Sequence, residues 1–320
     1  MRMRAALLTG PRASTVVWRE IPETPRGCVR VRMEGCGLCA SSLPAWEGRS
    51  WFDYPFAAGA PGHEGWGTID EVGKDVSAGL VGRRVAAVSH NALAEYDVAP
   101  ANAVVPIPME LQDRPFPGEA LGCATNVFRR SEIAANHTVL IVGIGFIGAL
   151  LCSLVSGAGA RVIAASRRAY ALGLARRLGA ADIVRLDGDC SIAAEQVMAL
   201  TGGKGCERVI EAAGAQETLD LASVSVRERG RLIIAGYHQD GMRRVNMQQW
   251  NWRGIDVVNA HERELEVCAS GIRTAVELIA TSKLSPSDLY THCFALDHVD
   301  EAFELMGTRP DGFMKALVII

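Results

Sequence analysis

The chain has 320 residues, enough for two domains at roughly 100–200 residues each. A formal net charge of -3 offers no basic surplus for a nucleic-acid or anionic membrane partner, and 49% hydrophobic residues suffice for two cores. The opening MRMRAALLTG lacks the apolar run of about 7–15 residues of a secretory signal, and no run reaches the ~18 of a membrane span, so a cytoplasmic protein is expected.

Residues 1–100 read as short strands. Apolar or β-branched runs at 5–8, 15–20, 29–33, 67–72 and 84–88 are separated by Gly, Pro and polar clusters, which predicts a β-rich barrel or sandwich. Pro115 and Pro117 mark a boundary. Strands are then predicted at 138–142, 161–165, 183–185, 208–212, 231–235 and 255–259. Helices at 147–156, 169–178, 192–200 and 217–224 alternate with them. Such alternation implies an α/β unit with a doubly wound parallel sheet. From about Pro286 the first style returns and ends in a strand at 315–320. The expected division is therefore 1–113 with 286–320, and 114–285.

Nine cysteines, at 28, 36, 39, 123, 152, 190, 206, 268 and 293, are odd in number and scattered, which argues against a disulfide framework. Cys36 and Cys39 share a C-x-x-C spacing, but no second pair exists to complete a four-cysteine zinc site.

The strongest motif is a G-x-G-x-x-G run of Gly143, Gly145 and Gly148. It follows an apolar strand and opens a helix, and a second strand ends about twenty residues on, the setting of a dinucleotide fingerprint. Gly143 permits the tight turn. Gly145 lets the backbone approach a pyrophosphate at the helix N-terminus, and Gly148 permits close helix–strand packing. Phe146 and Ile147 in the same turn, and Ala212, Gly236 and Tyr237 at later strand ends, are further candidate cofactor contacts. After the second strand stand Ser166, Arg167 and Arg168, where an acidic residue would favour NAD. Guanidinium groups there would welcome a 2′-phosphate, so NADP is expected over NAD.

Two segments of the first domain bring metal-type donors: Cys39, Ala40, Ser41 and Ser42 after Gly37-Leu38, and His63-Glu64 after Pro61-Gly62. Together with the fingerprint, the Gly-Arg-Arg-Val run at 82–85, Ala94-Glu95-Tyr96 and Gly230-Arg231-Leu232, they resemble the zinc-dependent medium-chain alcohol and polyol dehydrogenases over essentially the whole chain. The resemblance implies a GroES-like catalytic domain formed by both chain ends, with a Rossmann domain between them. It implies a zinc held by Cys39 and His63, with Glu64 a direct or exchangeable ligand. A third ligand would lie shortly before the glycine-rich turn: Glu119, or Cys123 if the register differs. Ser41 matches the hydroxyl that accepts the alcohol proton. Zinc in such a set keeps one position open and lowers the pKa of a substrate hydroxyl or polarises a carbonyl, while the nicotinamide exchanges hydride with carbon.

Three departures from the family pattern stand out. Ser42 replaces the Asp that commonly helps orient the zinc-bound histidine, which weakens support for His63. Pro44 stands where many members have a relay histidine, so the proton needs another route, and His90 is the candidate substitute. The structural zinc lobe is missing, so one zinc per chain is expected. That absence also opens an alternative, a zinc-free quinone or alkene reductase of the same superfamily. A catalytically silent NADP-binding module is a third reading. The substrate, a small alcohol or carbonyl compound, is expected near the zinc. Trp46, Trp51, Phe52, His90 and Asn91 are candidate lining from the first domain. Tyr237, His238, Trp250 and the run Asn259-Ala260-His261 are candidates from the second. Aromatic residues mixed with His and Asn fit a polyol, cyclitol or ring alcohol. The last nucleotide-domain strand, at 255–259, reads as an edge, and a homodimer or a tetramer of dimers is expected.

Overall fold

Alternating apolar residues build the first strands. In the computed structural model, which describes residues 1–188 and 190–320, β1 (Arg2–Gly10) and β2 (Ala13–Glu20) form an antiparallel hairpin. There follow β3 (Cys28–Gly37), α1 (Leu43–Glu47), β4 (Glu64–Val72), β5 (Arg84–Ala87), β6 (Tyr96–Pro100) and β7 (Val104–Pro106). α2 (Gly118–Ser131) leads into β8 (Thr138–Val142), α3 (Phe146–Gly157), β9 (Arg161–Ser166), α4 (Ala169–Arg177) and β10 (Asp182–Arg185). The chain goes on through α5 (Cys190–Leu200), β11 (Cys206–Glu211), α6 (Gln216–Ser225), β12 (Val226–Ile234), α7 (Met247–Arg253) and β13 (Asp256–Asn259). It closes with α8 (Leu265–Ala280), β14 (Tyr290–Ala295), α9 (Val299–Thr308) and β15 (Lys315–Ile319).

Two compact units result: Met1–Gly122 with Arg263–Ile320, and Cys123–Glu262. The first holds a sheet ordered β14-β15-β3-β4-β5-β7, with β6 also on β3. Its tail strand β15 runs antiparallel to β3, with Leu317 opposite Gly37 and Val318 opposite Cys36. Trp46, Ile69, Leu93, Phe303 and Val318 sit in its main core. The second unit holds a parallel sheet ordered β10-β9-β8-β11-β12-β13. Numbered within the unit this is 3-2-1-4-5-6, the Rossmann order, whose ligand crevice opens where the order reverses, between β8 and β11. The fold is thus α/β, a doubly wound Rossmann sheet plus a β-rich GroES-like unit.

Helices α1, α2, α7, α8 and α9 lie outside the expected set. α8 buries Ala269, Ile272, Ala275 and Ile279, and α9 buries Val299, Ala302, Phe303 and Met306, both at helical spacing. The unit limits also differ from the expected 1–113 with 286–320. Gly118 lies against Ala86 and Gly122 against Ile272, so the start of α2 and all of α8 pack with the first unit. The proline pair marks the end of the strand-rich stretch, whereas packing carries that unit several residues further.

Candidate active site

The metal-type donors gather at the end of β3 and the start of β4. β3 pairs with β4 so that Gly37 stands opposite Glu64. That register brings the turn after β3, with Cys39 and Ser41, beside His63. One donor atom each of Cys39, His63 and Glu64 lies within 4.8 Å of the others. Ligands of one tetrahedral zinc stand roughly 3.5 Å apart, so the cluster is of the right size. His63 Nδ1 lies 3.0 Å from the Pro61 carbonyl. Only a donor satisfies that carbonyl, so Nδ1 carries a proton, and Nε2 is the atom that can face an electrophile once its own proton has left. Ser41 Oγ donates to Cys39 Sγ at 3.2 Å and lies 3.5 Å from His63 Nε2. Ser42 Oγ donates to the same Pro61 carbonyl at 3.4 Å. The orienting group of His63 is therefore the backbone of Pro61, and Ser42 reaches only that carbonyl.

The donors also fit a cation electrostatically. Burial pushes the His63 pKa down, but the hydrogen bond and charge of Cys39, then Glu119 and Glu64, carry it up to about 10. Anionic groups converge on a point that demands positive charge. Glu64 is fully buried. Lys315 Nζ lies 2.6 Å from Oε1, where it donates a hydrogen bond, and 2.5 Å from Oε2, where it pairs in charge only. Both carboxylate oxygens of Glu64 thus face the Lys315 ammonium. Lys315 is itself buried and also donates to the Leu38 carbonyl at 2.9 Å. Burial works against its charge, but Glu64 and Cys39 hold its pKa above the usual lysine value. A Cβ on Gly37 would stand 2.0 Å from Glu64 Oε2, so glycine is required there.

The other expected residues of this end of the chain do not join the cluster. Glu119, in the first turn of α2, sends its charge to His63 but stands outside the three-residue group. Cys123 is half-buried on the same helix and also outside that group. Cys36 is a packing thiol: burial pushes its pKa up and its Sγ donates to the Gly37 carbonyl. Pro44 begins α1. His90 is exposed after β5, with no hydrogen bond to Ser41 or His63 among the described residues. Trp46 is core: it stacks on Phe303 at 5.1 Å and its Nε1 donates to Glu304. Trp51 is exposed, and Phe52 packs on Phe56.

In the nucleotide unit Gly143 adopts φ 99°, a value that favours glycine. A Cβ on Gly148 would meet the Gly143 carbonyl at 2.1 Å. Gly145 precedes α3 and supplies no side-chain cap, and a Cβ there would find open space. The first N–H groups of a twelve-residue helix thus face room that a phosphate suits. Phe146 and Gly148 are buried and Ile147 is partly exposed. At the end of β9, Ser166 is buried and its hydroxyl accepts from Arg168 N–H at 3.3 Å. Arg168 Nη2 donates to the Ile144 carbonyl at 3.2 Å, across the glycine-rich turn. Arg167 is exposed. Ala212 and Gly236 lie at the ends of β11 and β12. Tyr237 is exposed and stacks with His261 at 6.1 Å. Trp250 packs against the sheet's core, and His238 turns inward to Glu211.

Sequence reasoning missed Pro61, Lys315 and Glu211. The one available signal was Lys315, a lone charge heading the apolar run Ala316–Ile320.

Residues 25–109 match the family model of the alcohol dehydrogenase GroES-like domain, and residues 146–280 match that of the zinc-binding dehydrogenases. The NADP-dependent isopropanol dehydrogenase of Clostridium beijerinckii is 29% identical over 68% of this chain, and the match spans 62% of that relative's length. Two solved structures share the fold. RspB from Escherichia coli CFT073, complexed with NADH, has TM-score 0.87 at 24% identity, covering 100% of this chain and 99% of that one. A mycobacterial quinone oxidoreductase has TM-score 0.84 at 22% identity, covering 99% and 100%. With both domain models matched in this order and the Rossmann and GroES-like units both formed, the chain belongs to the medium-chain dehydrogenase/reductase family.

Proposed function

We propose that this protein is a zinc-dependent oxidoreductase that transfers a hydride between NADP(H) and a secondary alcohol or its ketone. The observation that carries the reading is the convergence of Cys39, His63 and Glu64 within 4.8 Å, with the Ser41 hydroxyl on two of them. Cys39 and His63 would hold the zinc with Glu64 or Glu119, and zinc there supplies a Lewis acid for the substrate oxygen. Pro61 holds His63 in the tautomer that leaves Nε2 free. Ser41 Oγ would accept the alcohol proton in oxidation while its own proton passes on to water, and the transfer would run in reverse in reduction. Pro44 has no proton to pass on, and His90, exposed beyond the cluster, would receive the proton only through water. Lys315 holds the Glu64 carboxyl group in place.

The NADP preference rests on Ser166, Arg167 and Arg168. No carboxylate stands at the end of β9, and the exposed Arg167 has no partner among the described residues. A guanidinium there suits a 2′-phosphate. The isopropanol relative is named as NADP-dependent, while RspB was solved with NADH. Trp46 belongs to the first unit's core and Trp250 packs against the second's, so neither supports an aromatic wall for the substrate, and the class of secondary alcohol (polyol, cyclitol or ring alcohol) is left to the substrate panel. We further propose a homodimer paired through β13, which bonds to β12 on one side and leaves its other backbone edge without a strand partner among the described residues.

Metal content and kinetics test the reading together. About one zinc per chain, with turnover of a secondary-alcohol panel and higher kcat/KM with NADP than with NAD, is expected. Cys39→Ala should lose both zinc and at least about 100-fold in kcat. Metal-free protein that reduces quinones would overturn the reading in favour of the quinone-reductase alternative.

A further inference from the structure

A chain of polar side chains in the nucleotide unit runs from the partly exposed segment after β12 back to the buried end of β11. Glu211 ends β11 with no solvent exposure. Its Oε1 accepts from the Ala213 N–H at 2.9 Å, the Gly214 N–H at 2.8 Å and the Thr218 hydroxyl at 2.8 Å. Its Oε2 meets His238 Nε2 at 2.9 Å. Arg243 Nε donates to His238 Nδ1 at 2.8 Å. Nδ1 is therefore the acceptor, Nε2 carries the proton, and the neutral ring donates to Glu211. Arg243 Nη2 donates to the Gly214 carbonyl at 2.9 Å and pairs with Asp240. The amide and the carbonyl of Gly214 are both held by this one network.

The position gives the network its meaning. β8 and β11 are neighbours, and the strand order reverses between them. Gly143 follows β8, and a Cβ built on it would stand 2.8 Å from Ala213 N and 2.9 Å from Ala213 Cβ. The turn that Glu211 organises is thus the opposite lip of the crevice at the switch point. Oε1 already has three donors. Without His238, Oε2 would be a buried anionic oxygen with no donor, and the carboxylate would have to turn toward water or toward the amides it now shares. His238 satisfies it with an N–H and keeps the Arg243 guanidinium one ring further out.

We infer that His238 is a positioning residue for the dinucleotide, fixing through Glu211 the Ala213–Gly214 lip against the glycine-rich turn. The inference rests on the dinucleotide reading above. Its action is on cofactor affinity, and the metal cluster of the other unit is not involved.

The test titrates NADPH, and separately NADH, into the purified full chain by nucleotide fluorescence, with zinc content and thermal unfolding recorded for each variant. His238→Ala is expected to raise the Kd of the preferred nucleotide about tenfold, with zinc content unchanged. His238→Gln keeps a donor and an acceptor on one head, and is expected to bring Kd back to within about threefold of wild type. A purely structural histidine would lower thermal stability in both variants without this recovery of affinity. Should the alanine variant not fold, Arg243→Met leaves the ring in place without its locking donor and is expected to raise Kd about threefold or more. A wild-type Kd in the alanine variant, or in Arg243→Met, overturns the inference, as does a glutamine variant as weak as alanine. If the wild type itself binds neither NADPH nor NADH, the dinucleotide reading falls and takes this inference with it.

Discussion

Pro61 puts a carbonyl, not a carboxylate, behind His63. A carbonyl fixes the tautomer without adding charge, so the site depends on Cys39, Glu119 and Glu64 for its negative field. Zinc needs a neutral His63, while the metal-free chain keeps it protonated up to about pH 10. Below about pH 10 zinc must displace that proton. Apparent zinc affinity should therefore rise with pH across this window, by about tenfold per unit for one proton, and flatten above it. Calorimetry in buffers of different ionisation enthalpy reads the proton release; affinity that stays level from pH 7 to 9 would contradict it. The Glu64–Lys315 pair makes a second prediction at this scale. Removing one partner of a buried pair costs about 3–5 kcal/mol, so Lys315→Ala should lower the unfolding midpoint by on the order of 10 °C. Replacing both, as Lys315→Met with Glu64→Gln, should restore much of that loss, since no buried charge is then left alone. Arg167 makes the third. Arg167→Ala should reduce kcat/KM with NADP by about 10-fold and leave NAD nearly unaffected, because only the 2′-phosphate is addressed. An equal fall with both nucleotides would place Arg167 elsewhere.

The turn between β8 and α3 shows best how local sequence dictates an element. Gly143 needs its positive φ, and Gly148 lets α3 close on the turn to a distance that a single methyl forbids. Gly148→Ala should therefore displace the helix start and lose most dinucleotide affinity, whereas Gly145→Ala, with open space around it, should fold normally and weaken binding only through the volume it adds. Fluorescence titration beside a thermal melt separates the two effects. This turn was legible in the sequence because every requirement lies within six residues. The parallel strands were legible for the same reason, as continuous apolar runs. α2, α8 and α9 were not. Their apolar stripes are present, but in α2 the stripe is made of small residues such as Ala120 and Ala124, whose burial is visible only once their neighbours are known. The cluster at Cys39 and His63 was legible through its resemblance to a family. The donors' mutual approach was not, because it depends on the pairing of Gly37 with Glu64 across two strands.

At the scale of the whole molecule, the proposed dimer turns on β13. Its residues Asp256, Val257 and Asn259 are exposed, and Trp252 before it is 88% exposed. A lysine at Val257 would put like charges together across a two-fold edge pairing. Val257→Lys should shift the chain from dimer to monomer by light scattering, and a wild type that already runs as a monomer would remove the proposal. The features the sequence hid at this scale are those joining distant parts of the chain. Lys315 is the clearest: nothing local marks it as the partner of Glu64, since the two meet only when β15 docks beside β3.

That docking sets an order of events in the making of the protein. Glu64 leaves the ribosome 251 residues ahead of its counter-charge. At roughly 5–20 residues per second, the acid spends on the order of ten to fifty seconds without the ammonium that lets it be buried. Until then the least costly state keeps Glu64 in water and the β3–β4 end open. The surroundings of Glu64 are thus finished by the last strand to be made, and a nascent chain cut short of Lys315 should hold its early strands together yet fail to bury Glu64.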